Sequence, residues 1–317
     1  MGRKHHPDTG LTVARTEDIP LREVSGICLR RGPSGAMQVV AIGDRAAIGA
    51  WATVADEPGS PLAWHTTPLT GLAGTRLPAD DPQIEAVCAD GVGRVLLLQE
   101  SPARVELVDP PAGCVIAGID LEIAGDHPLA ASWADPDGSR GEGAIFLANG
   151  HLLIAKEKDP PALLEFGPAG DEAAGFRAGA ITGGAALPAG DAWPVEPGEQ
   201  TFVLLASWAP DRALARACRD LSDLEVGPDG RLYVLSDKSQ GVARLRDLDP
   251  GATIATAEAT WELPGLDGKP EGLAFTPGGR AIVALDTKKP RRNLVLLDPA
   301  IAPRRDAGGA STPGRPR

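Results

Sequence analysis

Residues Gly141–Glu157, GEGAIFLANGHLLIAKE, read as two short apolar strands around an Asn149-Gly150 turn, with Glu142 near one end and Glu157 at the other. Asn-Gly is the dipeptide that a two-residue hairpin turn favours, because both central residues need positive φ. In that register the two glutamates stand opposite each other, with Cβ atoms about 4.5–5.5 Å apart, where like charges destabilise the pairing. A chain that builds such a pair needs something to set against the repulsion. Lys156 and Lys158 flank Glu157, but strand alternation points them to the other face.

The same pattern recurs along the chain. A small or acidic marker, a short apolar strand, a glycine-bearing turn, a strongly apolar strand and a closing acid begin at VSGICL (Val24), IEAVCA (Ile84), GEGAIF (Gly141), LSDLEV (Leu221) and PEGLAF (Pro270). The markers are Ser25, Glu85, Glu142, Ser222 and Glu271; the closing acids are Asp44, Glu100, Glu157, Asp237 and Asp286. Marker and acid are 19 residues apart in the first unit and 15 in each of the other four. Asp229-Gly230 and Gly278-Gly279 sit midway between marker and acid as Asn149-Gly150 does, so three units predict the same two-residue turn. In the second unit the midpoint falls on Val92-Gly93, which predicts a wider turn. Glu85 with Glu100 and Glu271 with Asp286 would then repeat the acid pair, leaving a cation, water, a neighbouring arginine or splayed strand ends to relieve it.

Internal repetition of this kind decides the architecture. The second strands, VVAI (Val39), VLLL (Val95), LLIA (Leu152), LYVL (Leu232) and AIVAL (Ala281), are continuously apolar, so both faces must be covered. Third strands follow at Val105, Ala162, Val242 and Leu294, and fourth strands are expected at Val115–Ile123, Thr201–Trp208 and Ile254–Leu263. Four antiparallel strands per unit, repeated radially, make an all-β fold, a β-propeller. Five units predict five four-stranded blades around a central channel; the 80 residues between Glu142 and Ser222 leave room for a sixth. A two-sheet sandwich is the other all-β solution, but it does not require an acid at fixed spacing. One propeller domain is expected over residues 11–301, with tails at 1–10 and 302–317, and Thr12–Ile19 is expected to join the last blade and close the ring. The Gly/Ala/Pro-rich segment from Gly167 reads as a long surface loop, and DRALARACR from Asp211 as a short helix.

Composition narrows the function. With 317 residues and 43% apolar content the chain can bury a sizeable core, and a formal net charge of −12 argues against nucleic acid or an anionic membrane as partner. The four cysteines, Cys28, Cys88, Cys114 and Cys218, form no Cys-x-x-Cys pair and read as reduced, buried small residues. MGRKHHPDTG has no apolar region after its basic residues, so the chain as written is expected in the cytoplasm, with export open if the true start lies upstream. No run approaches the length of a membrane span.

The repeats DLSDLEVGPDGRLYVLSDKS, GEGAIFLANGHLLIAKEKDP and KPEGLAFTPGGRAIVALDTK resemble those of the SdiA-regulated (YjiK-like) propeller family. That family carries similar Ser-Gly or Glu-Gly markers and a Lys-Glu-Lys-Asn-Pro element in its third repeat, where this chain has KEKDP. The resemblance covers roughly Leu21 to Asp298 and includes the Ser, Glu, Glu, Ser, Glu order of the markers. It implies a propeller with a bound metal, calcium in the first place, similar at a distance to the esterase-like phytase propellers. Members are commonly exported, which this N-terminus does not match. On the matching positions it implies Glu85, Glu142 and Glu271 as ligands, with Ser25 and Ser222 completing the column. Carboxylate oxygens suit Ca²⁺, or Mg²⁺, by hardness. The competing reading makes these acids strand-end caps bonded to neighbouring backbone amides.

Catalytic signatures are missing: there is no Gly-x-Ser-x-Gly elbow, His-Glu-x-x-His, P-loop or dinucleotide-binding glycine pattern. His127 and His151 are too scattered for zinc, and Ser25 and Ser222 read as hydrogen-bonding into the acid column rather than as nucleophiles. The basic cluster KKPRR (Lys288–Arg292) reads as solvated surface, or as the phosphate-facing group if the chain is a phosphoesterase. Two functions follow: a metal-binding propeller, expected monomeric, that holds an unidentified small molecule or protein at the channel mouth, or a metal-dependent hydrolase of an ester, phosphoester or lactone acting there.

Overall fold

The second strand of each repeat sends alternate side chains into two different hydrophobic clusters, and that division organises the molecule. In the computed structural model, which describes residues 10–54, 61–135, 139–178 and 190–302, the strands in chain order are β1 (Thr12–Glu17), β2 (Val24–Arg31), β3 (Met37–Gly43), β4 (Ile48–Thr53), β5 (Trp64–Pro68), β6 (Ile84–Ala89), β7 (Val95–Gln99), β8 (Arg104–Asp109), β9 (Cys114–Glu122), β10 (Gly141–Phe146), β11 (Leu152–Lys156), β12 (Ala162–Pro168), β13 (Gly198–Pro210), β14 (Asp223–Val226), β15 (Leu232–Ser236), β16 (Gly241–Leu245), β17 (Ile254–Ala255), β18 (Ala257–Glu262), β19 (Lys269–Phe275), β20 (Ala281–Asp286) and β21 (Leu294–Asp298). Two short helices, α1 (Ala130–Ala134) and α2 (Leu214–Ala217), and a single 3-10 turn at Leu69–Gly71 complete the regular structure among the described residues. The fold is all-β. Apart from Gly10 and Ala302, the expected tails lie outside the described residues.

Three sheets have four strands each: β2-β3-β4-β5, β14-β15-β16-β18 and β1-β21-β20-β19. Two further four-strand meanders, β6–β9 and β10–β13, are fused where β13 runs parallel to β9, with Gly198–Val203 against Ala117–Glu122. The two-sheet sandwich does not form. The first strands make a closed circuit of contacts, β2 to β6 to β10 to β14 to β19 and back to β2. They approach closely: a Cβ on Gly143 would lie 2.5 Å from the Leu224 amide nitrogen, and one on Gly272 would lie 2.8 Å from that of Ile27.

Leu96 and Leu98 of β7 pack into a cluster shared with β11 and β12, while Val95 and Leu97 pack with Val40 and Ile42 of β3. Leu152 and Ile154 of β11 face back towards β7, and Leu153 and Ala155 face forward to Val234 of β15. Each second strand is therefore covered on both faces, which explains its uninterrupted apolar sequence. Full burial of each such Leu, Ile or Val stabilises by about 1.5–3 kcal/mol relative to exposure.

β1 pairs antiparallel with β21 as expected, so the N-terminal strand completes the sheet that holds the C-terminal repeat. Asn293 locks this closure: its side-chain oxygen accepts from the Ile19 amide at 2.7 Å and its amide group donates to the Ile19 and Leu21 carbonyls, both at 3.1 Å. The expected fourth strands form as β9, β13 and β18. The helix from Asp211 forms as α2, with the Asp211 carboxylate accepting from the Leu214 amide at 2.7 Å, and α1 forms where no helix was expected. Between Glu142 and Ser222 the described residues complete β10–β13 and add α2, without a further four-stranded set.

The turns correct the expected register. Each unit turns through three residues: Leu147 N donates to His151 O at 2.9 Å and Gly150 N to Leu147 O at 3.1 Å, and the same pair of bonds joins Gly32 to Ala36, Asp90 to Arg94, Gly227 to Arg231 and Thr276 to Arg280. Gly35, Gly93, Gly150, Gly230 and Gly279 have positive φ, as the residue closing such a loop requires. The extra residue shifts the ladder, so Gly143 faces Ala155 and Phe146 faces Leu152. Marker and closing acid do not directly oppose each other.

Candidate functional site

The ladders slip at the marker. Pairing is interrupted between Val24 and Gly26, Ile84 and Ala86, Gly141 and Gly143, and Pro270 and Gly272. The residues passed over are Ser25, Glu85, Glu142 and Glu271, each in a β-bulge, a feature that bends the strand and re-aims the side chain. Ser222 lies one residue before β14; its amide donates to Leu235 O and its hydroxyl oxygen accepts from the Asp237 amide, both at 2.9 Å. Ser25 donates to Ile84 O at 2.5 Å. Both serines thus bond to backbone rather than to the acid column.

The four bulge residues line one cavity of about 600 Å³, together with Asp44, Glu100, Glu157 and Asp286; Ser222 and Asp237 are not on its wall. Glu23 raises its acids to eight, against Arg45, Lys158 and Lys269, a formal charge of −5. Lys158 is a correction. The strand ends at Lys156, alternation lapses beyond it, and Lys158 turns back to pair with Glu157 on the cavity wall. Lys156 is buried and donates to Lys158 O. Further relief comes from Lys238, 3.7 Å from Glu157, Lys269, 3.9 Å from Asp286, and Arg45, 3.5 Å from Asp44. The Glu100 carboxylate accepts from the Arg140 amide at 2.8 Å.

No ion pair reaches Glu85, Glu142 or Glu271 among the described residues. Burial, then the Asp44 and Glu100 charges, push Glu85 well above the ordinary carboxylate range, and Asp44 and Glu85 share a hydrogen bond that requires a proton between two acids. Burial, then Glu85, Glu100 and Glu157, do the same to Glu142. Glu271 is pushed up to about 8 by burial and Asp237. Burial also raises Asp44, Glu100 and Asp286.

The donor set among the described residues is one of hard oxygens, without histidine or cysteine on the wall, and so fits calcium or magnesium by chemistry. Among the described residues, no three His, Cys, Asp or Glu side chains stand together in ligating geometry. The acids are gathered but not closed about a point.

Other features noted in the sequence fall elsewhere. His151 is buried between Glu165 (Nδ1, 2.6 Å) and Asp171 (Nε2, 3.2 Å), away from the acid cavity. Cys28, Cys88 and Cys218 are buried and Cys114 is half-buried; all four are free. Lys288, Lys289, Arg291 and Arg292 are exposed on the loop between β20 and β21. The directions of Lys158 and Arg45 are not legible in the sequence, because a residue beyond a strand end has no alternation to give its direction; Lys269 opens β19 and meets the cavity through its pairing with Asp286 in the ladder.

No family model matches the chain, and no curated protein does. Among solved structures, the chain is similar to glutaminyl cyclase of Myxococcus xanthus (14% identity, 91% of this chain and 95% of that one, TM-score 0.49). It is also similar to the calcium-binding protein regucalcin of Agrobacterium tumefaciens (12% identity, 92% and 95%, TM-score 0.48), and to a putative gluconolactonase (13% identity, 93% and 84%, TM-score 0.45). At these values no functional inference passes from those proteins to this chain.

Proposed function

We propose that residues 11–301 form a single five-bladed β-propeller whose acidic cavity binds a divalent cation, calcium first, and that the protein serves as a ligand-binding or interaction module built on that ion. Glu85, Glu142 and Glu271 are the proposed ligands. The observation that carries this reading is that three bulge glutamates from separate repeats, none of them ion-paired among the described residues, converge on a cavity whose lining has a formal charge of −5. A cation offsets that charge, which burial otherwise makes costly. The resemblance of the repeats to the SdiA-regulated family supports the same assignment.

Thermal melts in chelator and in excess calcium, with direct calorimetric titration, test it. A ligand at about 100 times its Kd stabilises by about 2.7 kcal/mol, so the melting temperature should rise by several degrees. Absence of both a shift and a binding isotherm, for calcium and for magnesium, overturns the proposal.

One feature favours hydrolysis as a second reading. Lys158 and Lys269 share the cavity with the acids, and 600 Å³ leaves room beside an ion for a small substrate. Turnover of an ester, phosphoester or lactone that vanishes on calcium removal and in Lys158→Met would select this reading over the binding module.

A further inference from the structure

Among the described residues three arginines are buried, and two of them have their charge or donors answered. Arg104 reaches Asp120 and Glu199, each at 2.7 Å. Arg140 donates to the carbonyls of Trp133, Glu100 and Asp135 at 2.5, 2.7 and 3.1 Å. Arg30, 7% exposed, has a single side-chain bond among the described residues, from Nε to the neutral Oε1 of Gln38 at 3.0 Å, and no ion pair. A guanidinium carries five N–H donors. Four are therefore without a protein acceptor among the described residues; burial lowers the Arg30 pKa, and the neighbouring Cys28 side chain opposes that shift only in part.

Arg30 and Gln38 line a cleft of about 380 Å³ between the sheet of β2–β5 and strands β7 and β8. Val40, Ile42 and Trp51 form one side and Leu97 and Val108 the other; Arg30 is the sole charged residue lining it among the described residues. An apolar pocket of a few hundred Å³ with one precisely placed polar group at its edge is the common form of a small-molecule site. We propose that this cleft binds a small organic monocarboxylate, its carboxylate held on the Arg30 guanidinium and its aliphatic or aromatic body lying between the two sheets. A planar guanidinium matches a carboxylate through paired, charge-assisted hydrogen bonds, and that pairing favours a carboxylate over a neutral analogue. Arg30 and the cleft-lining residues contribute nothing to the wall of the acid cavity, so this site stands or falls independently of the calcium reading.

Octanoate is the probe, with 1-octanol as the neutral control, read by calorimetry at neutral pH in the presence of chelator. The wild-type chain should bind one octanoate, at least about tenfold more tightly than octanol. Arg30→Met should abolish that preference while leaving octanol binding in place. Should Arg30→Met not fold, Thr67→Trp serves instead: Thr67 is exposed at the rim of the cleft, and the indole should block entry of both probes without touching the core. Octanoate binding no tighter than octanol, unchanged in Arg30→Met, or unchanged in Thr67→Trp overturns the proposal.

Discussion

The Oδ2 atom of Asp223 accepts a hydrogen bond from the amide of Leu273 at 2.6 Å, tying β14 to β19 of the neighbouring sheet, while its Oδ1 accepts from Leu224 at 2.7 Å. The residues following the marker in the other repeats are Gly26, Ala86, Gly143 and Gly272. Asp223 alone has a functional side chain there, and it replaces direct backbone approach with a carboxylate bridge.

Asp223→Ala should therefore be costly. It leaves two buried amides without acceptors, at about 1–3 kcal/mol each, so urea unfolding should show a loss of about 2–6 kcal/mol. Asp223→Asn keeps one good acceptor and should lose about half as much. An Asp223→Ala protein as stable as the wild type would remove this bridge from the account.

Closure through Asn293 yields a second prediction. Its three bonds to Ile19 and Leu21 hold the segment after β1 against the last repeat. Asn293→Ala should cost at least about 3 kcal/mol by the same unsatisfied-group reasoning, and hydrogen exchange should speed up first in Thr12–Glu17 and Leu294–Asp298, the two strands that Asn293 couples.

Glu142→Gln removes a negative charge that burial and four neighbouring glutamates disfavour. In calcium-free buffer at neutral pH the variant should melt at a higher temperature than the wild type. In calcium it should lose most of the ligand-induced rise. A variant destabilised in chelator would show instead that Glu142 is held by bonds to the protein, as a strand-end cap.

The pH dependence has a definite sign. Glu271 has a folded-state pKa of about 8, above the ordinary glutamate value of 4.5, so between roughly pH 4.5 and 8 the folded chain binds more protons than the unfolded one. Stability from this group is present below the unfolded value and is lost as pH rises towards 8. In chelator, the stability of the wild type relative to Glu271→Gln should fall across that window. Calcium competes with the same proton, so its affinity should rise from pH 6 to pH 8.5. Identical pH profiles for wild type and Glu271→Gln would contradict the assignment.

Much of the architecture was legible because it rests on periodicity. Continuous apolar second strands demand cover on both faces, and LLIAK of β11 meets that demand by sending Leu152 and Ile154 one way and Leu153 and Ala155 the other. The marker column was legible for the same reason. Its geometry was not, since Asn149-Gly150 suits a two-residue turn and also a three-residue loop closed by glycine, and the choice moves the register by one.

Sequence by itself determined the repeat, the strands that must be buried on both faces, the joining of the first strand to the last sheet and the identity of the recurring acids, because these depend on local pattern and side-chain chemistry. Only the tertiary structure decided that the acids sit in bulges around one cavity with Lys158 turned towards them, and that Arg30 is buried beside a neutral partner. Those facts depend on which residues from distant repeats meet in three dimensions, and spacing along one chain does not contain that.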